Sequence, residues 1–383
     1  MDEKITPAQA MRLAIREARL GTGRVTPNPL VGCTILDAES KLLAVGYHAK
    51  LGHDHAEISA IKRLSNANQV TGSHIYVTLE PCAHQGRTPS CARTLAQLKP
   101  ASVTYAVEDP NPLVSGKGAQ ILREAGVKVH LFGVRSDVSL EDRDTVTCEA
   151  EDLAEIFLHN QRGQRPFVAV KVASTLDGQI ALSSGESKWI TSDAAREHAH
   201  RIRARYDAVA VGVQTLLIDN PSLNIRDPAY ADLTNRAIVF DPRGRGLEFL
   251  RSASLTSCRP ARQVIAVVGA NVKIPSGLDV TILESRVDSE GRFTLADVLS
   301  KLSSCGVTSV MIEGGANLVA SFFSSRLVDR LHLYQAPLIF GGSGALGWSS
   351  GFGITKIDEA AHLSRCEFKQ VGPDIYWTGR VAF

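Results

Sequence analysis

The chain has 383 residues, enough for two or three domains with cores of their own. Its 44% apolar and 21% charged composition excludes disorder, collagen and coiled coil, and a net charge of +2 disfavours a dedicated nucleic-acid binder. The longest apolar runs fall far short of the about 18 residues of a membrane span, the polar residues 1–10 carry no secretory h-region, and seven cysteines form no framework, so a cytoplasmic protein is expected.

Thr6, Pro7 and Gln9 have the pattern of an N-cap, a first-turn proline and a capping-box partner, and Met11, Ala14, Ile15 and Ala18 follow at helical spacing until Gly21. An opening helix is predicted. After the turn-rich segment 26–29, the apolar runs 30–36, 75–79 and 103–107 read as buried strands, separated by helical patterns at 56–64 and 89–98. Such alternation predicts a covered α/β sheet. From about 138 the pattern turns acidic and helical, then reaches a polar stretch at 159–166. This places a first domain at 1–148, a linker at 149–165 and a second domain at 166–383. The second domain repeats the α/β alternation, with strands at 167–172, 208–213, 237–240, 264–268, 307–312, 331–340 and 375–377. Its helices are expected at 193–204, 295–304 and 317–325. No internal repeat relates the two halves.

Chemistry concentrates first around His55 and Glu57, an HxE element opening the helical pattern at 56. Pro81-Cys82 follows a buried strand, and Cys91 stands nine positions further on. One imidazole and two thiolates suit Zn²⁺, and three protein ligands leave the fourth tetrahedral position to water, as in a catalytic site. Glu57 is then placed to move protons while the metal lowers the pKa of that water. This is the HxE and Pro-Cys signature of zinc-dependent nucleobase deaminases, with the spacing to the second cysteine lengthened. Thr88 and Pro89 read as N-cap and first helical residue, which sets Cys91 in a first turn whose dipole favours a thiolate. A closed structural site with His84 as fourth ligand is the alternative.

Two glycine motifs compete in the second half. Gly342, Gly344 and Gly347 satisfy GxGxxG after a strand, but the Gly- and Ser-rich segment that follows has no helical stripe, so a dinucleotide loop is not expected there. Residues 313–318 (Glu-Gly-Gly-Ala-Asn-Leu) join strand 307–312 directly to a helix, and read as an anion cradle or as an ordinary tight turn. Arg203 and Arg226 are suited to a sugar phosphate, or to salt bridges.

Together, His55-Ala56-Glu57, Thr78-Leu79-Glu80-Pro81-Cys82, the string His84 to Cys91 with its Gly86-Arg87-Thr88-Pro89, and Asp109-Pro110-Asn111-Pro112 resemble the RibD family of bifunctional riboflavin-biosynthesis enzymes. The segments 171–178, 185–192 and 212–226 resemble that family's reductase, so the match spans essentially the whole chain. The resemblance implies a cytidine-deaminase-like three-layer α/β/α domain followed by a dihydrofolate-reductase-like α/β domain. It implies zinc-dependent deamination of 2,5-diamino-6-(5-phosphoribosylamino)pyrimidin-4-one, then reduction of its ribosyl group to ribityl by NADPH.

Carried over by position, it sets zinc on His55, Cys82 and Cys91, makes Glu57 catalytic, and lines the deaminase pocket with Asn28, His48, His84, Asp109 and Asn111. These last are polar residues in turn-rich segments, where Asn28, Asp109 and Asn111 equally suit Pro-flanked turns. It sets Ala173, Trp189, Thr215, Asp219, Gly315, Ala316, Asn317, Leu318, Val319, Ala320 and Ser321 against NADPH. Lys171, Ser187, Arg203, Leu223, Arg226 and Glu313 are set against the substrate. The partner expected is a small molecule rather than nucleic acid or membrane, and a homo-oligomer is expected. The rival readings are a nucleic-acid base deaminase with an appended domain, and a non-catalytic zinc-stabilised nucleotide-binding module.

Overall fold

The computed structural model describes residues 4–83, 90–111, 115–163, 165–342 and 346–383. The chain divides at Gly163/Gln164 into two units, each with its own sheet.

In the first unit the opening helix α1 (Pro7–Ala18) forms as predicted. Thr6 Oγ1 accepts the Gln9 N–H at 3.3 Å, and Gln9 Oε1 accepts the Thr6 N–H at 2.8 Å. The strands β1 (Gly32–Leu36), β2 (Leu42–Tyr47), β3 (His74–Leu79), β4 (Ser102–Val107) and β5 (Lys128–Leu131) lie in the order β2-β1-β3-β4-β5. β1 runs antiparallel to both neighbours, and β3 to β5 are parallel. Successive strand residues point to opposite faces. Ile75 and Val77 therefore pack with α2 (Ala56–Ile61), α3 (Cys91–Leu98) and α4 (Lys117–Glu124), while Tyr76 packs with α1, α5 (Leu140–Leu153) and α6 (Glu155–Arg162). This is the expected three-layer arrangement.

The expected linker is not one. Residues 149–162 complete α5 and form α6, burying Ala150, Ala154 and Leu158 in the cluster that holds Met11 and Ile15. The first unit thus extends to 163 rather than 148. Glu149, Glu151 and Asp152 give the stretch a solvated look in one dimension, and its apolar seam is recognisable only once it lies on α1.

The second unit contains β6 (Phe167–Ser174), β7 (Gln179–Ala181), α7 (Asp193–Arg203), β8 (Ala208–Gly212), α8 (Val213–Asp219), β9 (Arg236–Asp241), α9 (Ser254–Ser257) and β10 (Val264–Gly269). It continues with β11 (Thr281–Ser285), α10 (Leu295–Ser304), β12 (Ser309–Ile312), α11 (Ala316–Ser324), β13 (Arg330–Gln335), β14 (Leu346–Gly347), β15 (His362–Val371) and β16 (Asp374–Ala382). Nine of these strands form one sheet in the order β11-β10-β9-β8-β12-β6-β13-β16-β15, parallel from β11 to β13 and antiparallel beyond. Val168, Val170 and Val172 of β6 pack with Leu299 and Leu302 of α10 and Phe322 of α11. The expected strand 331–340 ends at Gln335, and Val213 opens α8 instead of closing β8. Of the second glycine motif, residues 343–345 lie outside the described residues. Leu346–Gly347 pairs with β7, and turns rather than a helix follow, as its context implied. Among the described residues no helix is long and apolar enough to cross a membrane.

Candidate active sites

The three expected zinc ligands converge from separate elements. His55 is the N-cap of α2, Cys82 follows β3, and Cys91 is the first residue of α3. His55 Nδ1 lies 3.5 Å from each thiol sulfur, and all three ligand atoms fall within 4.8 Å of one another. Two bonds of typical Zn–N and Zn–S length at a tetrahedral angle would separate N from S by about 3.6 Å. The donor set therefore fits zinc.

The long Cys82–Cys91 spacing is closed by backbone. The N–H groups of Cys91 and Ala92 donate to Cys82 Sγ (3.3 Å) and Cys82 O (3.2 Å), and Ser90 Oγ–H donates to the same carbonyl at 2.8 Å. Ser90, not Thr88, caps α3, its Oγ accepting the Arg93 N–H. Thr88, Pro89 and His84 lie outside the described residues. Cys91 donating to it, and then His55, lower the Cys82 thiol pKa against the effect of its burial.

Glu57, 3% exposed, lines the same cavity of about 420 Å³ as His55 and Cys82. Burial, then the charge of Cys82, pushes its carboxyl up to about 7. His48 Nδ1 donates to the Asp54 carbonyl at 2.9 Å, which leaves Nε2 to accept from Asn28 Nδ2 at 3.2 Å. Burial lowers the His48 pKa, in keeping with this neutral form. Asp109 Oδ1 accepts the Asn111 N–H at 2.9 Å. Asn28, His48, Asp109 and Asn111 all line the cavity, so turn duty and pocket duty coexist in the Asp109–Asn111 turn.

Sequence reasoning passed over Glu80, quoted only as part of a motif. Its buried carboxylate accepts the N–H groups of Gly116 and Ala119 at 3.0 and 3.2 Å, capping α4, whose N-cap Gly116 has no side chain for the task. At Gly118 a Cβ would stand 1.9 Å from the Pro81 carbonyl oxygen. A larger residue there must displace the turn that carries Cys82. Phe157 and Gln161 of α6 also line the cavity, and both were missed because this stretch reads as linker.

In the second unit β8, β12 and β6 are parallel neighbours, so their carboxyl ends open on one edge of the sheet. There β6 presents Lys171 and Ala173, α8 begins with Thr215 near its start, and β12 runs into Glu313, Gly314 and Gly315. Gly314 has φ +153°, backbone that side chains rarely adopt, and Gly315 is the N-cap of α11. The first-turn N–H groups of Ala316 and Asn317 have no carbonyl one turn back to bond, the arrangement that suits an anion. A Cβ at either glycine would stand 3.5 Å from the Thr215 hydroxyl oxygen.

Further along α11 the expectation narrows. Val319 and Ala320 are buried, and the Ser321 hydroxyl is spent on Asn317 O at 2.8 Å. Asn317 is exposed, and Leu318 and Ser321 are half-buried.

Arg203 and Glu313, both expected on the substrate, grip each other. Nε and Nη2 of Arg203 donate to the two Glu313 oxygens at 2.6 and 2.7 Å, and Nη1 donates to Asn224 O at 2.7 Å. Burial pushes the Glu313 carboxyl up, but the Arg203 charge and hydrogen bonds outweigh it and hold it down to about 2. The fork that charge alone would offer to phosphate is therefore occupied. Arg226, exposed, donates to Ser222 Oγ at 2.7 Å and Asn224 Oδ1 at 3.1 Å. Burial lowers the Lys171 ammonium, with Glu313 opposing. Asp219 pairs with Lys188 at 3.0 Å, and Trp189, 70% exposed, lies under the Arg196 guanidinium. Ser187 lies half-buried beside Lys188. Leu223 is buried, and its carbonyl is taken by Asn235.

Comparison with known proteins gives a family match for each half of the chain. Residues 5–107 match the cytidine and deoxycytidylate deaminase zinc-binding region, and residues 166–377 match the RibD C-terminal domain. The riboflavin biosynthesis protein RibD of Actinobacillus pleuropneumoniae is 40% identical over 376 residues, covering 97% of this chain and 94% of that one. The chain belongs to the RibD family. The Acinetobacter baumannii RibD structure superposes with a TM-score of 0.80 at 32% identity, covering 98% of this chain and 99% of that chain. A Thermotoga maritima structure, described as a diaminohydroxyphosphoribosylaminopyrimidine deaminase/5-amino-6-(5-phosphoribosylamino)uracil reductase, gives 0.80 at 30% identity, with 98% of each chain covered. As a RibD-family protein the chain is a bifunctional enzyme of riboflavin biosynthesis. Its deaminase is zinc-dependent, and its dihydrofolate-reductase-like reductase uses NADPH. Family membership sets aside the nucleic-acid base deaminase and the non-catalytic zinc module.

Proposed function

We propose that the first unit converts 2,5-diamino-6-(5-phosphoribosylamino)pyrimidin-4-one to the corresponding uracil, and that the second reduces the ribosyl group of that product to ribityl. The observation that carries the reading is the His55, Cys82 and Cys91 cluster beside a buried Glu57 that lines the same cavity as His55 and Cys82. Zinc, when bound by the three, supplies a Lewis acid that makes water a nucleophile near neutral pH. Water adds at C2, the C2–N bond breaks, and ammonia leaves. Glu57 takes the proton of the attacking water and delivers a proton to the departing nitrogen, so one carboxyl serves both steps. Asn28, His48, Asp109 and Asn111 orient the ring.

In the second unit NADPH, when bound, supplies hydride to C1′ of the ring-opened ribosylamine. The start of α11 holds its phosphates, bordered by Ala173, Trp189, Thr215 and Asp219. Lys171, Ser187 and Arg226 face the substrate, and the Arg203–Glu313 pair fixes the wall between them. Incubating the zinc-loaded protein with the diaminopyrimidine phosphate tests the whole reading. Ammonia is expected before any NADPH is added, and loss of NADPH absorbance afterwards. No ammonia from a zinc-loaded sample would overturn the deaminase assignment.

The address proposed is the cytoplasm, with a small-molecule substrate and neither nucleic acid nor membrane as partner. A homo-oligomer is proposed as well, because β15 is a ten-residue sheet edge, exposed along nearly its whole length, with Phe368 70% exposed. Unpaired strand edges invite a second copy. Sedimentation should give a multiple of the chain mass that Phe368→Asp reduces; a parent protein running as a single chain refutes this.

A further inference from the structure

Helix α6 carries nothing in sequence that suggests a binding role, yet Phe157 and Gln161 both line the deaminase cavity. They stand four residues apart, so they lie on one face of the helix, one turn from each other. Phe157 is half-buried, packing against the cluster formed with α1 and α5, whereas Gln161 is exposed. One end of this face is thus deep and apolar, and the other opens at the mouth.

The rest of the lining makes that placement meaningful. Asn28, His48, Asp109 and Asn111 supply hydrogen bonds to ring edges, and His55, Glu57 and Cys82 supply the chemistry. A planar pyrimidine also needs a flat apolar surface over its face. Phe157 is the only phenyl or indole side chain among the described residues of this lining. The part of the substrate that does not react, a ribosyl phosphate, must project toward solvent, where a glutamine amide has two N–H donors and a carbonyl for hydroxyls or phosphate oxygens.

Resting on the deaminase reading above, we propose that α6 is the substrate-reading wall of this pocket, Phe157 stacking on the pyrimidine ring and Gln161 bonding the phosphoribosyl group. Neither side chain can take up or deliver a proton or attack carbon, so both act on binding rather than on the chemical step.

The experiment is steady-state ammonia release from the diaminopyrimidine phosphate by the full chain carrying Phe157→Leu, Phe157→Tyr or Gln161→Ala, with zinc content and melting temperature measured alongside. Base stacking on an aromatic is sizeable, so Phe157→Leu should raise KM by about tenfold or more, with kcat and zinc content unchanged. Phe157→Tyr, which keeps the flat face, should stay near the parent. Gln161→Ala removes an exposed side chain, so the fold is safe, and should raise KM by about two- to tenfold. KM values within twofold of the parent in both Phe157→Leu and Gln161→Ala overturn the assignment of α6 while leaving the deaminase reading intact. A parent that releases no ammonia overturns that reading and this assignment with it.

Discussion

Glu57→Gln should leave zinc bound and the fold unaltered while lowering ammonia release by about a hundred- to ten-thousandfold, the usual contribution of a positioned general acid–base group. Glutamine matches the carboxyl in shape but can neither take the proton of the attacking water nor return one to the leaving nitrogen. His55, Cys82 and Cys91 are untouched by the change, so metal analysis should give the parent stoichiometry. NADPH consumption on ready-made deaminated substrate should be unchanged, since Glu57 belongs to the first unit and the anion cradle to the second. Ammonia release at the parent rate by a zinc-loaded Glu57→Gln protein would sink the proposed role.

The second large effect concerns the Arg203–Glu313 pair. Arg203→Ala leaves a buried carboxylate without its cation, which costs about 3–5 kcal/mol. For a unit of this size, that lowers its melting temperature by about 10 °C. All three tryptophans, Trp189, Trp348 and Trp377, lie in the second unit, so tryptophan fluorescence follows its unfolding alone. Hydride transfer should be lost while ammonia release persists.

The pH dependence has a definite sign. Glu313 is held down to about 2 in the folded chain, below the about 4.3 of an unfolded glutamate, so its stabilisation is complete above about pH 5 and declines as pH falls through 4 toward 2. Glu313→Gln should flatten that acid-range slope of second-unit stability. An equal slope in parent and variant would show that the pair is not its source.

Much of the deaminase site was legible because its chemistry is local. HxE, Pro-Cys and the following cysteine are short strings whose residue types already specify an N, S, S donor set, and the capping box of α1 announces itself within four residues. In the second unit the Gly314–Gly315 turn was legible for the same reason, since a strand running through glycines into a helix is a local pattern. Strands without strong alternation escaped notice. β15 is exposed at nearly every position, so hydrophobic burial leaves no periodic trace in it. α6 escaped too, because its acidic approach hides three residues that become core only against α1.

By itself the order of residues determined the two α/β halves, the zinc-ligand types, the carboxyl proposed to carry protons and the family, since each depends on residue identity over short spans. Only the tertiary structure decided that Arg203 bonds Glu313, that Glu80 caps α4 behind the cysteine turn, and that α6 lines the deaminase cavity. Each of these joins groups far apart in the chain. Which partner a charge or an apolar side chain finds is settled by packing, and packing has no one-dimensional signature.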